Sequence, residues 1–220
     1  MCSKLPKALL LSVISVAACS KAFACSCKLL SAHDRYQNAD TVFVGTAVSK
    51  TDSADHIRFH IDESFWGTTG DSIVVRHYDP VICDSFSFKV GEKYLVVAYK
   101  QNDELTVTSC NQGSGIVYAT GDIHALRAQR EGKPLPYVYG VVLSKSGMPL
   151  VDARVTLHSQ ANPNSSALME TRTREDGYFE FRSVPPGGYL VKARPKTGGS
   201  PIRDSFATGD PGVRLMMYEW

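Results

Sequence analysis

All six cysteines of this chain fall before residue 111, and the remaining half, residues 111–220, contains none. The two halves therefore face different demands. The first can be cross-linked, whereas the second must hold together by packing alone. Which cysteines count depends on the first residues. Lys4 and Lys7 precede an apolar run, Ala8–Ala18, and a polar stretch then leads to Ala22-Phe23-Ala24. The run is shorter than the roughly 20 residues that span a bilayer core. This order is that of a secretory signal peptide, residues 1–24, cleaved after Ala24. A rival lies within export itself: Val16-Ala17-Ala18-Cys19 has the form of a bacterial lipobox, which would give a lipid anchor at Cys19. The expected location is secreted, extracellular or periplasmic, with the lipid-anchored cell surface as the alternative. No transmembrane segment is expected elsewhere.

Cleavage changes the charge balance. Three of the 24 bases (Lys4, Lys7 and Lys21) leave with the signal and no acid does, so 21 bases face 22 acids. The clustered basic surface that nucleic-acid binding needs is not implied, and no nucleic-acid partner is expected.

Cys25, Cys27, Cys83 and Cys110 remain. An even number in an exported chain reads as a disulfide framework. Cys25-Ser26-Cys27 is too tight to close on itself easily, so each of its thiols is expected to reach a distant partner. The alternative, a C-x-C metal site, lacks a nearby His or second thiol pair at zinc spacing. No cofactor is implied.

The mature length suits two domains. Glu131-Gly132-Lys133-Pro134-Leu135-Pro136 marks the boundary, giving domains at 25–133 and 134–220. In the first, Thr41–Ser49 and Ile57–Phe65 alternate apolar and polar residues with period two. Ser72–Tyr78, Tyr94–Tyr99 and Leu105–Thr108 follow, with turns at Trp66-Gly67, Gly70-Asp71 and Asn102-Asp103. Five strands flanked by two helices, the second over Asp122–Arg130 with Gly132 as its stop, predict a five-stranded OB-type barrel.

Cys25-Ser26-Cys27, Asn38–Gly45, Val81-Ile82-Cys83, Phe88, Gly91, Tyr94-Leu95 and Leu105–Cys110 resemble the tissue inhibitors of metalloproteinases, a netrin-type module, over roughly residues 25–130. The resemblance implies the pairs Cys25–Cys83 and Cys27–Cys110. Loops of that length each stabilise by about 4 kcal/mol in the chain-entropy model. It also implies a zinc metalloprotease as partner. The Cys25 α-amine and carbonyl would chelate the protease's catalytic zinc. Ser26 would enter the specificity pocket, Val81 and Ile82, beside Cys83, would form part of the contact ridge, and Cys27 would also lie at the contact. The chain departs from that family in having no cysteine between Cys27 and Cys83 and no cysteine-rich second half.

In the second half, Tyr137–Leu143, Ala153–His158, Thr171–Thr173, Tyr178–Phe181 and Leu190–Ala193 read as strands, and Asp176-Gly177 as a hairpin signal. Gly140, Gly147, Pro149, Ala153, Val155, Thr173, Asp176, Gly177, Phe179, Pro186, Gly187 and Tyr189 resemble the carboxypeptidase regulatory-like, transthyretin-like pattern. That pattern implies an immunoglobulin-like or prealbumin-like β-sandwich able to fold without covalent help, and a mainly β protein overall. Other sites are weak. His56 and His60 share a strand face without a metalloprotease helix, and His124 and His158 are isolated. Ser114 lacks the glycine spacing of a nucleophile elbow, and Asn164-Ser165-Ser166 is a glycosylation acceptor only in a eukaryotic secretory host. No enzyme is expected. The two functional expectations are protease inhibition through Cys25 and, alternatively, a non-inhibitory extracellular adhesion or scaffold protein.

Overall fold

A computed structural model describes residues 36–51, 55–78, 87–108, 114–208 and 212–219. The first strands close on themselves: β1 (Thr41–Lys50), β2 (His56–Trp66), β3 (Ser72–Tyr78), β4 (Lys93–Gln101) and β5 (Glu104–Thr108). They pair in the order β1-β2-β3-β5-β4, and β4 returns to β1. Every pairing is antiparallel except β3–β5. This is the barrel that the strand count predicts. Period-two alternation sends Phe43, Ala47, Ile57, Phe59, Val75, Val96 and Val107 inward, where Phe88 and Tyr94 join them. Phe59 and Phe88 meet edge to face, 5.0 Å apart at 85°, the geometry that ring quadrupoles favour. Asn102 and Asp103 both adopt positive φ (49° and 65°), as the two-residue turn joining β4 to β5 requires.

From the barrel, β6 (Ser114–Gly115) pairs with β4 and leads into helix α1 (Ile116–Arg130). The helix begins six residues before the expected Asp122. Its first turns contain Ile116, Val117, Thr120 and Gly121, all weaker helix formers than Ala or Leu, and no side chain caps its N-terminus. Tertiary packing holds this part. The predicted stop is present: Gly132 has φ 70°. Lys133 N–H donates to Ala128 O and Gly132 N–H to Gln129 O, the Schellman pairing that satisfies the last carbonyls.

The second half builds two sheets. One holds β10 (Tyr178–Phe181), β7 (Val138–Leu143) and β13 (Val213–Tyr218), with β7 and β13 parallel. The other is β12 (Ile202–Thr208), β11 (Gly187–Arg194), β8 (Arg154–Ser159) and β9 (Met169–Arg172). Val138, Val142, Val155, Leu157, Phe179, Phe181, Val191 and Leu215 fill the space between them. Two expectations change. The Asp176-Gly177 turn forms, with Gly177 at φ 76°, but its flanking strands β9 and β10 lie in different sheets, so it is a crossing rather than a hairpin. β12 and β13 are additional strands, set between glycine- and proline-rich segments that mask them in the sequence.

All six residues of β7 are buried. Val138, Gly140 and Val142 face the sandwich interior, so Tyr139, Val141 and Leu143 lie on the opposite face. There α1 covers the sheet.

Candidate functional site

Helix α1 is the element through which barrel and sandwich share a core. Ala119, Ile123, Ala125 and Leu126 cluster with Val42, Val44, Leu95 and Val97 of the barrel and with Tyr139 and Tyr178 of the sandwich. Gly121 makes this close approach feasible. A Cβ there would stand 3.0 Å from Tyr139 Cδ2.

One buried polar group is built into that core. Asp122 is 1% exposed. Its Oδ1 accepts a 2.9 Å hydrogen bond from Tyr139 Oη, and its Oδ2 lies 3.0 Å from Arg214 Nε. Arg214 Nη2 also donates to Tyr118 O at 2.7 Å. The carboxylate is thus neutralised and hydrogen-bonded, as burial of a charge requires. Burial, reinforced by Asp122, pushes the Tyr139 phenol well above its usual range, so it stays a donor.

A second cluster lines the rim of the junction, in a cleft of about 340 Å³ bounded by His124, Arg127, Glu131, Arg174, Tyr178 and Arg182 among others. His124 stacks on Tyr178, with ring centroids 4.3 Å apart, and its Nε2 lies 2.6 Å from Asp176 Oδ2. Arg174 sits over the other part of this stack, 4.9 Å from the Tyr178 ring centroid. Tyr178 Oη donates to Glu180, which Arg182 also grips through two nitrogens. Burial, then the Glu180 bond, raises the Tyr178 phenol far above its usual range. On the barrel side, Arg127 and Arg130 both hold Glu63 of β2. The Arg127 hydrogen bonds keep that carboxyl below its ordinary value despite partial burial.

These groups are spent on one another. Donors meet acceptors, and Lys133, which also lines the cleft, donates to Glu131 at 2.6 Å, so the arrangement fastens surfaces to one another. His124, which looks isolated in the sequence, is paired across 52 positions with Asp176. His56 lies in an outer charged group with Asp55, Arg76 and Glu104, and His60 is exposed. Among the described residues no group of His, Cys, Asp and Glu could hold a metal ion. No helix there is long and apolar enough to cross a membrane.

Cys25, Ser26, Cys27, Val81, Ile82, Cys83 and Cys110 lie outside the described residues, as do Cys19 and the signal peptide. What is described is where the flanking strands end. β3 and β5 finish side by side, Tyr78 opposite Thr108, five residues before Cys83 and two before Cys110.

Residues 137–210 match the family model described as "Carboxypeptidase regulatory-like domain". No curated protein matches the chain. Among solved structures, the chain is similar to a Klebsiella pneumoniae 5-hydroxyisourate hydrolase at 18% identity, covering 37% of this chain and 87% of that one, with a TM-score of 0.31. It is also similar to BcpA, the major pilin subunit of Bacillus cereus, at 6% identity, covering 58% of this chain and 36% of the pilin, with a TM-score of 0.28. The Bacillus anthracis TIE protein gives 11% identity, 82% and 30% coverage, and a TM-score of 0.30. The chain spans about a third of the length of each of the latter two.

Proposed function

We propose that this chain is a non-enzymatic extracellular scaffold or adhesion protein, a barrel and a carboxypeptidase regulatory-like sandwich held as one rigid body. The observation that carries this reading is the core shared through α1, in which Val42 and Leu95, Ile123 and Leu126, and Tyr139 and Tyr178 form one cluster. A flexible tether would leave the outer face of β7 wet; here it is sealed, with the buried Asp122 inside and paired to a partly exposed Arg214. Rigid spacing is what a load-carrying or display protein needs, and sandwich modules commonly serve as such units. Spin labels at exposed Lys50 and Lys145, one in each half, test it by their distance distribution. A single narrow distance is expected. A broad distribution would overturn the rigid reading.

A second reading is favoured by the common end of β3 and β5, from which the segments carrying Val81, Ile82, Cys83 and Cys110 depart. It is inhibition of a zinc metalloprotease by the Cys25 α-amine and carbonyl, with Ser26, Cys27, Val81 and Ile82 at the contact and disulfides Cys25–Cys83 and Cys27–Cys110. An amine ligates metal only when unprotonated and free. One Ala added before Cys25 should therefore abolish any inhibition across a panel of zinc proteases while leaving the disulfides intact. Equal inhibition by both forms would exclude the chelate, and inhibition by neither leaves the scaffold reading alone.

A further inference from the structure

The outer face of the sheet β12-β11-β8-β9, remote from α1, concentrates positive charge in an unusual register. Arg172, Arg154 and Arg194 stand directly opposite one another across β9, β8 and β11. Two positions along, Lys192 stands opposite Arg203 on β12. Like charges directly opposite in a sheet are destabilising, so three such pairs on one face are a cost that folding alone does not explain. Carboxylates offset only part of it. Glu170 takes Arg154 at 2.5 Å, and Asp152 takes Arg172 at 3.0 Å. Lys192 Nζ donates to Pro163 O, while Arg194 and Arg203 are exposed and make no ion pair among the described residues.

Arg154, Lys192, Arg194 and Arg203 line a groove of about 410 Å³ together with Thr156, Ser165 and Ser166. His158 at its floor is buried, with Nδ1 3.1 Å from Ser165 O and Nε2 3.0 Å from Thr156 Oγ1, so it shapes the groove rather than contributing a free base. The lining holds no Phe, Tyr or Trp, which removes the stacking platforms that single-stranded nucleic acids use. The groove lies on a sheet face, where the backbone groups of the inner strands are committed to the ladders, so a peptide could not add as a strand there. Recognition must come from cations and hydroxyls. Strands β8, β11 and β12 spread the groove's cations over ~10 Å, more than one oxyanion can cover.

We infer that this face binds a polysaccharide carrying sulfate or phosphate groups, with Arg194, Arg203 and Lys192 meeting successive oxyanions and Thr156 and Ser166 meeting sugar hydroxyls. The inference supplies a partner for the extracellular scaffold reading and rests on that placement. Its failure would leave the inter-label distance untouched, so the two stand or fall separately.

The test is titration of the mature chain with dextran sulfate, dextran phosphate, neutral dextran and poly-glutamate. Saturable binding to one or both charged dextrans is expected, weakening with salt. The tighter of the two names the group. R194S/R203S should lose at least about tenfold in affinity, near 1.4 kcal/mol, while its thermal midpoint stays level or rises because a like-charge contact is relieved. No binding to either charged dextran, equal binding by the variant, or equal binding of neutral dextran would overturn the site. Poly-glutamate bound as tightly as the dextrans would overturn the polysaccharide assignment.

Discussion

Arg214 Nε lies 3.0 Å from Asp122 Oδ2, so β13 is ion-paired to the helix that leaves the barrel. Asp122 is buried beneath Tyr139, whose hydroxyl donates to the other carboxylate oxygen, while Arg214 reaches it from a partly exposed position. This contact dictates the first expected outcome.

D122A strands the buried Tyr139 phenol and leaves the partly exposed Arg214 guanidinium unpaired, and should destabilise the protein by about 3 kcal/mol, the low end of the cost of breaking one side of a buried pair. Y139F leaves the ion pair and should cost only about 1.5–3 kcal/mol, as expected for a hydrogen bond to a charged group. Urea unfolding reads both. A D122A cost no larger than that of Y139F would show that the ion pair is dispensable.

Gly121→Ala separates helix propensity from packing. Propensity alone would stabilise by up to about 1 kcal/mol. The new Cβ would meet Tyr139 at 3.0 Å, and that ring is fully buried and tethered to Asp122, so it has little room to give. A net loss of about 1 kcal/mol is expected, within the overpacking range. A gain in thermal midpoint would show that the helix can withdraw from the sheet.

Acid should loosen the grip of α1 on the barrel. Arg127, and then Arg130, hold the Glu63 carboxyl below its ordinary 4.5. Its folded-state value is depressed, so its contribution is fully present above about pH 4.5. It is lost as pH falls through the lower folded value. Wild type should exceed E63Q in stability at pH 6, and the two should converge towards pH 3. A difference that stays constant from pH 6 to pH 3 would assign the effect to geometry rather than charge.

Fragments test how far the sandwich stands alone. Residues 137–219 would expose the outer face of β7 and leave Arg214 without Asp122, whereas 114–219 retains α1. The longer fragment should unfold at a markedly higher urea concentration. Equal midpoints would mean that the helix adds nothing to the sheet it covers.

Much of the fold was legible because alternation is a local signal. Phe43, Phe59, Val75 and Val107 occupy the inward positions that period two assigns them, and Asn102-Asp103 turns where its composition says. What failed to register was long-range burial. Val138–Leu143 reads VYGVVL, a run without alternation, which is the mark of a strand covered on both faces; its meaning emerges only once α1 is laid over it. His124 and Asp176 are separated by 52 positions, and no sequence period connects them. β12 hid because Asp204 interrupts its apolar alternation between Ile202 and Phe206. The basic face escaped for a related reason. Its cations are scattered singly along β8, β9, β11 and β12, and only the register collects them.

The parallel pairing of β7 with β13 bears on how the protein responds to tension. Val138 lies beside Val213 and Leu143 beside Tyr218, so the chain enters β7 at one end of this pair and leaves β13 at the other. A pull between the barrel and the C-terminus therefore loads the whole ladder in shear, with its hydrogen bonds strained together rather than peeled one by one. Under such a load β13 would hold as a clasp.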